Sequence, residues 1–153
     1  MKKILCFVFA TFLFSNCFPK ISFQLGGGWI VESEIQVKGV INSDESEKII
    51  GKTFFLTQDY LIYENHSYSI KSIKEDTITS EMLYLETKGS ESEGITFKDL
   101  GIEKRFVHIM FLKFKERINL PVKTIIILDN ENLIGIYENH YYQLNILYLD
   151  HPF

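Results

Sequence analysis

Two ten-residue stretches of the chain nearly repeat one another. Residues 61–70 read LIYENHSYSI and residues 135–144 read GIYENHYYQL, identical at six of ten positions. Each carries a histidine, His66 or His140, within the shared run Tyr-Glu-Asn-His. An imidazole can bind a metal, move a proton or donate a hydrogen bond. One reading of the echo is therefore a paired-histidine site. The other is a pair of hairpin turns, because Asn accepts the left-handed backbone region and the flanking aromatics suit cross-strand pairing. Two histidines with no further placed ligands do not complete a zinc site. The turn reading leads, and no metal is expected.

The other reactive groups are scattered. His108 lies in the most apolar stretch of the chain and is the best titratable oddity; His151 is close to the C-terminus. The Gly26-Gly27-Gly28 run lacks the following Lys and helix of a phosphate-cradling loop. There is no G-x-S-x-G elbow and no H-E-x-x-H pair. Acidic residues cluster in turns and on one face of the first extended segment, where solvent is the ordinary neighbour. No catalytic residue and no cofactor is expected, and an enzyme is the least favoured reading. The aromatic content, 14% of 153 residues, fits a filled barrel or a binding pocket. Trp29 is the side chain expected to line or close such a pocket.

Export is expected from the first seventeen residues. Lys2 and Lys3 precede the apolar run 4–14, ILCFVFATFLF, and Ser15, Asn16 and Cys17 follow. That is the three-part pattern of a secretory signal. Eleven residues are too few for a spanning helix, which needs roughly 20. Cys17 is either a lipidated first residue, as in a bacterial lipoprotein, or the last residue before ordinary cleavage near Phe18. Cys6 and Cys17 are the only two cysteines. The exported chain would thus hold no internal disulfide, and burial must supply its stability. The net charge of −4 argues against nucleic acid as a partner. Membrane contact is expected only through the signal or a lipid anchor.

Residues 18–28, with Pro19 and three consecutive glycines, read as a tether, and residues 29–150 as one domain. From Trp29 the pattern takes period two. Trp29, Val31, Ser33, Ile35 and Val37 alternate with Glu32, Glu34, Gln36 and Lys38, as in a half-buried strand. Residues 42–51 read as a short helix, with Ser43 or Asp44 as cap and Gly51 ending it in a left-handed turn. Further strands are expected at 53–57, 60–63, 66–74 and 77–87, with turns at Asp59, Glu64-Asn65 and Glu75-Asp76. Residues 88–94 form a polar loop. Strand 106–115 is buried on both sides for most of its length, and 124–128, 133–137 and 140–148 complete the set. Eight or nine strands joined by short connections predict an all-β, up-and-down antiparallel barrel with one short helix after the first strand.

Gly27-Gly28-Trp29 at the start of the first strand resembles the G-x-W signature of lipocalins, whose Trp closes one end of an eight-stranded barrel. A longer resemblance is to small secreted, lipocalin-like proteins of low-GC Gram-positive bacteria. It runs through Trp29, Ile50-Gly51-Lys52, Phe97, Leu100-Gly101-Ile102 and the closing hairpin with Asp129, Leu133-Ile134 and Tyr141-Tyr142. These resemblances imply a barrel and export. The expected function is a noncatalytic binding module that holds a small apolar ligand. The alternative is an envelope protein-interaction or inhibitor protein with a fully packed barrel.

Overall fold

The computed structural model describes residues 27–38, 48–89, 93–116, 123–137 and 139–147. Eight antiparallel strands follow one another round a closed ring: β1 (Gly27–Ile35), β2 (Thr53–Leu56), β3 (Tyr60–Tyr63), β4 (His66–Thr79), β5 (Phe106–Phe114), β6 (Thr124–Ile127), β7 (Asn132–Tyr137) and β8 (His140–Leu147). Strand β1 pairs with both β2 and β8, which closes the ring; on the β3 side only residues 66–69 of β4 have strand partners, so the rest of β4 keeps an edge there. The expected all-β antiparallel barrel is what the chain forms.

Because neighbours run in opposite directions, connections alternate between the two ends of the ring. The turns β3–β4 and β7–β8 lie at one end, which we call the mouth. The start of β1, the end of β8 and the β4–β5 crossover lie at the other, the base. Inward side chains make one apolar cluster. Leu56, Leu61, Met110, Ile125, Leu133 and Leu144 are fully buried in it, and Trp29 packs with them near the base. An eight-stranded barrel is just wide enough for side chains to fill it.

A second apolar layer lies outside the ring. Helix α1 (Ser80–Thr87) and residues 93–102, with a 3-10 turn at Lys98–Leu100, cover the outward faces of β5 to β8. Leu83, Ile95, Phe97 and Leu100 pack there on Val107, Ile126, Ile134 and Tyr141. This explains why β5 is apolar on both faces: one fills the barrel and the other lies beneath this layer.

The helix differs from the expectation. The sequence pattern predicts a strand over 77–87, yet Thr79 caps a helix there, accepting a hydrogen bond from the Met82 N–H at 3.3 Å. Glu, Met and Leu are strong helix formers, and the β-branched residues stop at Thr79. No turn forms at Glu75-Asp76 either. β4 runs through them, paired with Met110 and Ile109 of β5. The helix expected at 42–51 falls mostly outside the described residues. Its last four, residues 48–51, form a turn, and Gly51 takes the expected left-handed conformation at φ +80°. The tether at 18–28 also lies largely outside them, but β1 already begins at Gly27.

Three aspartates brace exposed turns and strands. Asp129 accepts the N–H groups of Glu131 and Asn132, both at 2.8 Å, and the Asn132 side-chain amide at 2.9 Å. Burial pushes its carboxyl up, but these donors outweigh it and hold the group below the usual carboxylate range. The Thr96 hydroxyl and N–H do the same for Asp99, and the Thr77 N–H followed by Lys74 for Asp76. A lowered folded-state value means stability that is present above the unfolded value and lost as pH falls through the folded one. Urea unfolding midpoints should therefore hold between about pH 5 and 7 and decline below about pH 4. In Asp129→Asn the acid decline should be smaller.

Candidate functional site

The echoed stretches become the two mouth turns. In the β3–β4 turn Glu64 and Asn65 both have positive φ, 47° and 66°, and Tyr63 pairs with His66. In the β7–β8 turn Asn139 has φ 69° and Tyr137 pairs with His140. In the β3–β4 turn the two adjacent left-handed residues match the twist of the strands they join. The turn reading of the echo is correct. Since β3–β4 and β7–β8 stand four strands apart in a ring of eight, the two turns face each other across the mouth.

The copies are alike beyond the turn. His66 stacks on Tyr68 at 6.3 Å between ring centroids and 26° between planes; His140 stacks on Tyr142 at 6.4 Å and 29°. Tyr63, Tyr68, Tyr137 and Tyr142 belong to the inward cluster. Tyrosines and histidines thus rim the mouth in two matching sets. Burial, then the charge of Glu64, raises the Tyr63 phenol above its ordinary value, so its hydroxyl stays protonated.

One residue of the site escaped the sequence pattern. Glu34 belongs to the face expected in solvent. A β-bulge between Val31 and Ser33 slips the β1–β8 register by one residue. Such a slip exchanges the faces of everything beyond it. Ile35 therefore joins the outer layer, and Glu34 lies opposite the buried Tyr142. The His140 Nδ1–H donates to Glu34 Oε1 at 2.5 Å, and their side chains are only 13% and 6% exposed. A carboxylate is acceptor only, which fixes the proton on Nδ1 and leaves Nε2 as the nitrogen to meet a ligand. His66 has the same arrangement, its Nδ1–H donating to the Glu64 carbonyl at 3.0 Å.

The remaining sequence-selected residues sit elsewhere. Trp29 is buried in the interior toward the base, between Phe54 of β2 and Ile146 of β8 in register. His108 is in β5 beside Thr77, with the hydroxyl 3.4 Å from Nδ1. Cys17 lies outside the described residues. Among the described residues, no cluster of three His, Cys, Asp or Glu side chains is placed to hold a metal. No described helix is long and apolar enough to cross a membrane.

A second concavity lies on the outer wall. Leu147, Gly28, Phe55 and Ile62 form one register row across β8, β1, β2 and β3. Gly28 has no side chain between its larger neighbours, and a groove of about 350 Å³ opens over it. Lys52 and Glu64, which form an ion pair, stand at its mouth-side end. The α1 layer does not extend to this wall.

Compared with protein-family models, with curated proteins and with solved structures, the chain matches none. The reading of the site rests on its own geometry.

Proposed function

We propose that this chain is an exported, noncatalytic binding module that takes a small amphipathic molecule at the mouth of its barrel. The observation that carries this is the pair of matching hairpins, each offering a tyrosine-stacked imidazole whose Nδ1 is already engaged. Aromatic faces suit a flat or apolar body. The two Nε2 atoms and the protonated Tyr63 hydroxyl suit its polar groups. The packed cluster below the rim favours a seat at the mouth over one deep in the interior. Trp29 then acts from beneath, filling the base so that the mouth is the open end.

Export belongs to the same proposal. Residues 1–17 supply the signal, with Cys17 either lipidated or next to the cleavage point, and the likeness to small lipocalin-like proteins of Gram-positive bacteria supports that setting. The test is purification of the chain under native conditions, followed by extraction and mass spectrometry. A small molecule released in near-stoichiometric amount is the expected result. A preparation that releases nothing, and whose aromatic resonances ignore added amphipathic compounds, would count against the proposal.

A second reading, an envelope protein that grips another protein, is supported by the groove over Gly28. Gly28→Leu should fill that groove and abolish such binding while leaving the mouth unchanged. Under the first reading this variant keeps its ligand.

A further inference from the structure

We infer that the free edge of β4 pairs with the same edge of a second copy of this chain, antiparallel and centred on Glu75, so that two barrels share one continuous sheet. This goes beyond the mouth reading and does not rest on it. On the β3 side, the strand pairing of β4 ends at Ser69, opposite Tyr60. The Ile70 N–H still reaches the Asp59 carbonyl, at 2.7 Å. Residues 71–79 continue the strand with β5 on one side only. Most of this stretch is exposed, including Lys74, Glu75, Asp76 and Thr77.

The ladder fixes which backbone groups face the open side. The Leu112 N–H donates to the Lys123 carbonyl at 2.8 Å, away from β4. Its register partner Ile73 must then turn its own N–H and C=O away from β5, because directly opposite residues exchange both hydrogen bonds or neither. The pattern alternates, so Glu75 and Thr77 face the open side as well. The Thr77 N–H accordingly donates to Asp76 Oδ1 at 2.9 Å, a local substitute for a neighbouring strand. Such a row of backbone groups is what strand addition uses.

The edge complements itself. A symmetric antiparallel pair must bring open-side residues opposite one another. With Glu75 on the two-fold axis, Ile73 meets Thr77 of the second copy, and Thr77 meets Ile73 of the second copy. All three open residues are then used, for about six main-chain hydrogen bonds. The closer positions between them place Lys74 opposite Asp76 of the second copy, twice over. Lys74 and Asp76 already form an ion pair at 3.4 Å within one chain, so the four charges alternate round a square. Glu75 is also the midpoint of residues 71–79, so each strand ends where the other chain's β3 begins. Charges on an edge keep unrelated strands away. This edge accepts its own copy because its charges pair with themselves. The one unfavourable pair is Glu75 against itself, and two opposite-charge pairs outnumber it. Both mouths stay open.

The experiment joins sedimentation equilibrium to NMR of the natively purified chain at concentrations up to about 1 mM. A reversible dimer is expected. In a mixture of isotope-labelled and unlabelled chains, a filtered nuclear Overhauser contact should link Lys74 Hα to Asp76 Hα. These protons lie close together in a non-hydrogen-bonded pair across strands, and far apart within one strand. Amide exchange at Ile73, Glu75 and Thr77 should slow as concentration rises, while Ser72, Lys74 and Asp76, which face β5, stay unchanged. Glu75→Gln removes the like-charge pair and should tighten association about threefold. Lys74→Asp sets acid against acid and should weaken it about tenfold, and adding Asp76→Lys should restore it. A chain that stays monomeric, or a dimer whose filtered contacts lie on Phe55 and Ile62 or on α1, would overturn the inference. So would edge protection that appears only with an unrelated extended peptide, or a double variant no tighter than Lys74→Asp. None of these outcomes bears on a ligand at the mouth.

Discussion

His140→Ala should lower the unfolding free energy by about 3 kcal/mol, read as a reduced urea midpoint at neutral pH with the slope unchanged. The imidazole carries the Nδ1–H that meets Glu34 inside the rim, where the carboxylate is 6% exposed. Without it a charged oxygen stays buried with its donor gone, and this accounts for most of the loss. Glu34→Gln should cost less, about 1 kcal/mol, because an amide oxygen can still accept the same hydrogen bond. The double variant Glu34→Leu with His140→Ala should recover much of the loss, because no charge is then left buried. An additive double variant would show that the two side chains do not act as a pair. The pair also joins the first strand to the last, so its loss should loosen the β1–β8 seam first. Amide exchange at Glu34, Ile35 and Tyr141 should then rise ahead of the rest.

Gly94→Ala should be the second large effect, about 2–3 kcal/mol. A methyl group at Gly94 would stand 2.2 Å from the Tyr84 carbonyl oxygen and 2.7 Å from its ring. The carbonyl belongs to α1 and cannot yield as a flexible side chain would. It also accepts the Lys88 N–H that closes the helix. The loop must therefore lift, which weakens two neighbouring contacts: the Ile95 N–H donating to Thr87 Oγ1 at 2.7 Å and the Phe97 N–H donating to Ser80 Oγ at 3.0 Å. The damage should stay in the outer layer. Tyr141 and Ile126 should become more accessible while the inward cluster around Leu144 keeps its protection. Hydrogen exchange separates the two layers. Uniform loss of protection in both would contradict the two-layer description.

The barrel was legible because period-two alternation survives wherever one face meets water and the other the interior. It was legible in β5 for a different reason, an apolar run bounded by polar residues, although the sequence could not say that the second face lies under α1. The echoed turns were legible as turns because Asn supplies the left-handed backbone locally. Their placement was not legible, since facing each other across the mouth is a property of ring closure. Glu34 was hidden because a bulge leaves the one-dimensional pattern intact up to Val31 and reverses it afterwards. Helix α1 was misread because Ile78 and Thr79 belong to a strand. The change to Met, Leu and Glu after Thr79 was the signal that could have marked the boundary. Glu75-Asp76 was misread as a turn because acidic pairs often sit in turns. Here they extend β4 past the short β3, where solvent receives both carboxylates.

The mouth is tested most directly by titrating the full chain with 1-anilinonaphthalene-8-sulfonate, a probe with a flat body and a charged head, and following aromatic proton resonances. The rings of Tyr63, Tyr68, Tyr137 and His140 should shift together along one saturable curve, with Phe55 and Phe106 unmoved. Shifts confined to Phe55 or Phe106, with the four mouth rings stationary, would contradict a ligand seat built from the two matching hairpins.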